Sequence, residues 1–292
     1  MLKKIIILSC LVLSTNLFAQ NYNEQFTEIC EKGKISESKD FLENWEKAEP
    51  NNPEMFVALF NYYLVQSKAK FDGPKFLGGT IIATDNDSIS VSEVLKSVNK
   101  SDSLFILSQK YLSKGISINK DRLDMYIGRS TTLLEKAINT EFITSVKSIV
   151  KRNSVNSGKW LWSNNEPIKK TEDEFVGMIQ SYINAMFQAS NPDISEVLNI
   201  SKLALETYPT NYILLSNIGV CMLELGKYQE AIPFFEKGLK SNPKDMILRL
   251  NLADAYVQLK QISKAKEYYN YVIENGDERF SGYAKDILKE IE

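Results

Sequence analysis

The chain has 292 residues, 43% of them hydrophobic, and a formal charge of −2 from 35 Lys and Arg against 37 Asp and Glu. That composition supplies a buried core and excludes a disordered chain, and the interspersed signs form no basic stripe that would recruit nucleic acid. It contains no histidine, which removes the commonest general base and the commonest metal ligand together.

Residues 1–19 read as a secretory signal peptide. Lys3 and Lys4 precede an apolar run from Ile5 to Leu13 that is too short to span a bilayer, and Leu17-Phe18-Ala19 offers a cleavage point. The expected protein is therefore exported, periplasmic or secreted, with no transmembrane span after cleavage. An uncleaved anchor is the first alternative. A lipoprotein attached through Cys10 ranks last, because the run before it is very short and Leu8 is an unusual choice there. Cys30 and Cys221 lie 191 positions apart and are expected to be buried free thiols.

Helical periodicity starts at Tyr22, with Phe26, Ile29 and Cys30 on one face and Gly33 as the stop. A second helix over Ser36–Ala48 carries Phe41, Leu42 and Trp45, and Pro50 and Pro53 end it. A third runs from Pro53 to Lys68. Its partner is delayed by an insertion at about residues 71–100, where Thr80–Thr84 and Ser88–Val91 read as short strands around Asp85-Asn86-Asp87. The partner arrives at Ser101–Ile118, with Gly115 in a small-residue position. A further pair follows, the first helix with Met125, Ile127, Gly128 and Leu134, the second with Phe142, Ile143, Val146 and Ile149. A second insertion, at about 153–170, carries Trp160 and Trp162 in strand-like alternation.

From Glu172 an offset of 34 residues aligns three units. Ala185, Gly219 and Ala253 fall in step, as do Val197, Ala231 and Ala265, and Ser201, Phe235 and Tyr269. Pro209 and Pro243 close the first two units, with Asp277 in that place in the third. Ser281–Ile291 supplies a last helix to cover the exposed end of the array.

The stretch from Asn211 to Asp245, with Gly219, the Gly226-Lys227 turn, Ala231, Gly238 and Asn242-Pro243, resembles the tetratricopeptide repeat, whose period is 34 residues. The resemblance covers Met178–Asp277 closely and Tyr22–Asn153 loosely. It implies an all-α solenoid of helical hairpins with two small β-like insertions. The expected organisation is a leader at 1–19, a degenerate repeat region at 20–170 and a repeat domain with a capping helix at 171–292. Family members mostly bind proteins or peptides on a concave face lined by first helices, and few are catalytic. One departure is that the large aromatic usual early in the first helix is Ser181, Leu215 and Arg249 here. A subclass grips a C-terminal carboxylate with Lys and Asn. The matching positions are Ser216, Asn217 and Val220, then Leu250, Asn251 and Asp254; with no lysine among them, a carboxylate clamp is rejected. The inferred inner face reads Ile179, Tyr182, Met186, Ile213, Ser216, Val220, Leu223, Ile247, Leu250 and Asp254. It suits either an apolar peptide or packing by the N-terminal half or a second copy.

Catalytic and metal readings are weak. Asp85-Asn86-Asp87-Ser88 begins like a calcium loop, but the fifth, sixth and twelfth positions are Ile89, Ser90 and Lys96. Gly78-Gly79-Thr80 lacks the Gly-Lys-Ser/Thr of a phosphate loop. The expected function is a non-catalytic scaffold or adaptor for a protein or peptide partner in the cell envelope, without a cofactor. The rival is a glycan or small-ligand receptor using Trp160 and Trp162.

Overall fold

The computed structural model describes residues 22–68, 76–77, 80–81 and 103–291. The leader, the Asp85–Ser88 motif and the strand expected at 88–91 lie outside them. Helices α1 (22–31), α2 (Lys39–Ala48), α3 (Pro53–Lys68), α4 (Ser103–Ile118), α5 (Leu123–Glu135) and α6 (Asn139–Asn156) come first. They are followed by α7 (Glu172–Phe187), α8 (Ile194–Thr207), α9 (Tyr212–Glu224), α10 (Tyr228–Ser241), α11 (Met246–Gln258), α12 (Ile262–Asn275) and α13 (Glu278–Ile291). No helix among the described residues is long and apolar enough to cross a membrane.

Two small hairpins interrupt the helices. β1 (Phe76–Leu77) pairs antiparallel with β2 (Thr80–Ile81), Phe76 opposite Ile81, so the described partner of the Thr80 strand precedes it in the chain. β3 (Lys159–Leu161) pairs with β4 (Pro167–Lys169). α6 continues as helix to Asn156, past the expected start of this insertion at about 153.

The chain divides into two compact units. One holds the residues up to Ser145 together with Lys159–Ile168; the other holds Val146–Gly158 and Lys169–Glu292. The division falls within α6. In the first unit, α3 and α4 pack closely although the 71–100 insertion separates them in sequence. In the second, the end of α6 joins α8 and its following turn through a Lys147–Glu196 ion pair and a hydrogen bond from Asn153 Nδ2 to the Tyr208 hydroxyl at 2.9 Å.

One turn recurs between the helices of a pair. At Gly33, Ala137, Gly226 and Lys260 the backbone is left-handed, with φ of 67°, 53°, 71° and 58°. In each case the next residue donates its N–H five residues back: Lys34 to Ile29, Ile138 to Leu133, Lys227 to Met222 and Gln261 to Tyr256, at 2.8–3.0 Å. This is a Schellman-type stop, and only two of the four use the glycine that adopts it without strain.

The entry to the next pair also recurs. Asn52, Asn211 and Asp245 precede α3, α9 and α11, and each side chain accepts backbone N–H bonds at the open helix end. Arg122 holds the same place before α5, where a cation cannot cap. Its compensation is described below.

In the second unit, small residues set the helix approach. A methyl group at Gly219 on α9 would lie 2.4 Å from Phe235 Cε1 on α10, and one at Gly238 would lie 3.0 Å from Leu248 on α11. Ala253 and Tyr269 repeat the first interlock 34 residues later, and Phe235, Leu248, Leu252, Ala265 and Tyr269 are fully buried around it. α13 closes the array with Ala284 buried and Phe280, Ile287, Leu288 and Ile291 packed on the core.

Candidate functional site

The first candidate is the inner face carried by α7, α9 and α11. Helix spacing places Ile213, Ser216, Asn217, Val220 and Leu223 on one side of α9, and Ile247, Leu250, Asn251 and Asp254 on one side of α11. The structure sorts these residues by burial. Ile179, Tyr182, Met186 and Leu250 are buried and act as packing. Ile213, Ser216, Val220, Leu223 and Asn251 are half-buried. Ile247 is 52% exposed. Along the register Ile179, Ile213, Ile247, the same position therefore opens step by step to solvent.

Polar groups on this face are partly committed. Asn217 Nδ2 donates to Gln180 Oε1 at 2.6 Å, and Gln180 Nε2 donates to Asn184 Oδ1 at 2.9 Å. Asn211 ties α9 back to α7 through Glu172 Oε1 at 2.8 Å. Asp254 turns toward α12 and α13, accepting from the Tyr269 and Tyr283 hydroxyls. Burial pushes its carboxyl above the usual range, against those two hydrogen bonds. Its carboxylate is thus a structural acceptor. Asn251, 34 residues after Asn217, makes no side-chain hydrogen bond among the described residues.

The second candidate is the β3–β4 hairpin in the first unit. Trp160 is 1% exposed and packs edge-on to Tyr126 with ring centroids 5.7 Å apart. It fills the core and presents no face to a ligand, so Trp162 alone of the pair reaches the surface, at 39% exposure. The turn that follows is closed by Trp162 N–H to Glu166 O at 2.8 Å, and both Asn164 and Asn165 are left-handed, with φ of 59° and 55°.

A buried ion cluster holds that turn. Arg122 is 0% exposed; its guanidinium donates to Glu54 at 2.6 and 3.2 Å and to Asp124 at 2.7 and 2.9 Å. Burial opposes its charge, but the two carboxylates outweigh that and hold its pKa above the ordinary value. Glu54 then accepts from the Asn164 N–H at 2.7 Å and the Ser163 hydroxyl at 3.2 Å, and Arg122 reaches Asn165 Oδ1 at 3.4 Å. The Leu161 N–H bonds to Asp121 O at 2.7 Å. Arg122, Glu54 and Asp124 did not stand out by residue type. The readable signal is positional: aligning Asn52, Asn211 and Asp245 leaves an arginine where a cap belongs.

Among the described residues no cluster of His, Cys, Asp and Glu forms a metal site. Cys30 and Cys221 are free thiols, and burial, with a smaller push from Glu224, raises Cys221 to about 12.

A profile described as the tetratricopeptide repeat matches residues 222–281. No curated protein matches the chain. Among solved structures, YrrB, a tetratricopeptide repeat protein with an unusual peptide-binding site, is 14% identical and aligns over 82% of this chain and 96% of its own, with a TM-score of 0.42. The C-terminal part of a tetratricopeptide repeat-containing protein from Cytophaga hutchinsonii is 16% identical over 86% and 78%, with a TM-score of 0.43. The MamA protein is 12% identical over 65% and 93%, with a TM-score of 0.41. Residues 222–281 thus carry the tetratricopeptide repeat, in a chain that repeats its hairpin turn at Gly33 and Ala137 as well.

Proposed function

We propose that the protein is a non-catalytic scaffold that docks a protein or peptide segment on the inner face of its C-terminal repeats, and that it works in the cell envelope after export. The observation that carries the docking reading is the pairing of Ile247, exposed at 52%, with the uncommitted amide of Asn251 one helical turn on. An apolar anchor beside a free carboxamide suits a segment that buries one side chain and offers its backbone to the amide. Export rests on the Lys3-Lys4, Ile5–Leu13 and Ala19 pattern of the leader.

A photo-crosslinking residue placed at position 247 tests the docking reading in intact cells. Adducts with a partner protein, lost when Ile213→Asp is added, are expected. Adducts only with a second copy of this chain, or none, overturn it. Intact mass of the cell-derived protein tests export: a chain beginning at Gln20 supports it, and one retaining residues 1–19 overturns it.

A further inference from the structure

We infer that the tip of the β3–β4 hairpin is a carbohydrate-binding site built on Trp162, Asn164, Asn165 and Glu166, independent of peptide docking on the C-terminal repeats. Two successive left-handed residues are uncommon, although asparagine enters that region more readily than most side chains. The fold nevertheless fixes them with the Arg122–Glu54 cluster, and Asn23 Nδ2 adds a hydrogen bond to Asn164 Oδ1 at 2.5 Å. The turn is therefore held in one shape from beneath, while its outer groups remain available.

Those outer groups define the ligand. Among the described residues, no hydrogen bond takes up Trp162 Nε1, Asn164 Nδ2 or Asn165 Nδ2, and the Glu166 carboxylate has no cationic partner. An exposed indole, three N–H donors and one carboxylate acceptor stand within five consecutive residues. A sugar meets this set on both counts: its C–H face stacks on an indole, and each hydroxyl both donates and accepts. Glu166 and the lack of a cation in the turn disfavour phosphate or an acidic peptide. The class is a neutral saccharide, held at the millimolar affinities of a small surface contact.

The optical properties of the chain give a direct test. Its three tryptophans are Trp45, Trp160 and Trp162, and the first two are buried at 0% and 1%. Acrylamide quenching of the full chain therefore reports Trp162. Neutral gluco-, galacto-, xylo- and chito-oligosaccharides are titrated in turn. Saturable protection from quenching by at least one of them is expected. Ligand-detected NMR then reads the same saccharide against Trp162→Ala, which should lose about tenfold or more in affinity, and Trp162→Phe, which should keep part of it. Asn164→Gly, which removes the Nδ2 donor and the bond from Asn23 but keeps the backbone N–H to Glu54, should weaken binding while the chain stays folded. No protection by any saccharide, undiminished binding by folded Trp162→Ala, or protection only by a peptide or anion overturns the inference.

Discussion

The two units reach stability by opposite means. The second unit repeats one interlock: Gly219 accepts Phe235, Ala253 accepts Tyr269, and Gly238 accepts Leu248. No single contact is irreplaceable in kind, because the next repeat makes it again. The first unit also has a close approach, at Gly115 against Phe56, but adds contacts that do not recur at a fixed spacing: an ion cluster in which Arg122 serves two carboxylates, and ring contacts such as Trp45 stacked on Tyr22 at 5.7 Å beside Phe26 and Phe41. A repeat spreads its risk; a unique node concentrates it.

The largest expected effect breaks the node. Arg122→Met leaves the buried Glu54 and the half-buried Asp124 without their cation and should cost about 3–5 kcal/mol. All three tryptophans lie in the first unit, so their emission should report an early transition while circular dichroism retains a second, unshifted one. A single coincident transition would show that the units do not melt separately.

The next effect is the mirror image. Gly219→Ala places a methyl 2.4 Å from the Phe235 ring and should cost about 1–3 kcal/mol as the aromatic is displaced. Circular dichroism should move and tryptophan emission should not. An unchanged melt would mean that the α9–α10 interlock has slack.

The smallest effect concerns the cap. Burial raises the Asp254 carboxyl, so the folded state binds its proton more tightly than the unfolded chain. Its contribution to stability is full below the ordinary carboxylate pKa and is lost as pH rises through the higher folded value. Relative to Asp254→Asn, the wild type should therefore gain stability as denaturant midpoints are followed from neutral into acid solution. A gap between the two that stays constant with pH would contradict that sign.

How much of this was legible follows from the same contrast. The 34-residue register, the small positions at Gly219 and Ala253 and the closing helix could be read because repetition shows each signal more than once. The fate of individual inner-face residues could not. Ile179, Ile213 and Ile247 are one residue type in one register, yet the first is buried and the last exposed, because burial depends on what the preceding helix covers. Asp254 looked like a groove carboxylate and is an acceptor for two tyrosines on other helices. Trp160 and Trp162 alternate identically in sequence, but only the first lies over Tyr126. Arg122 was invisible for a different reason: its distant partners Glu54 and Asn165 lie 68 and 43 residues away, Glu54 in turn reaches 110 residues to Asn164, and no local pattern announces such a meeting.

Those separations also set a clock. Loop closure becomes slower and costlier as the intervening chain lengthens. The second unit can zip from neighbour to neighbour, since Asn217 meets Gln180 only 37 residues away and Asn211 meets Glu172 at 39. Glu54 is made early, but its last ligand, the Asn164 amide, is made 110 residues later. Glu54 can pair with Arg122 as soon as that residue is made, but its full set of ligands is not available until the second hairpin has been synthesised. The part of the protein made first thus depends for its last contacts on residues made much later.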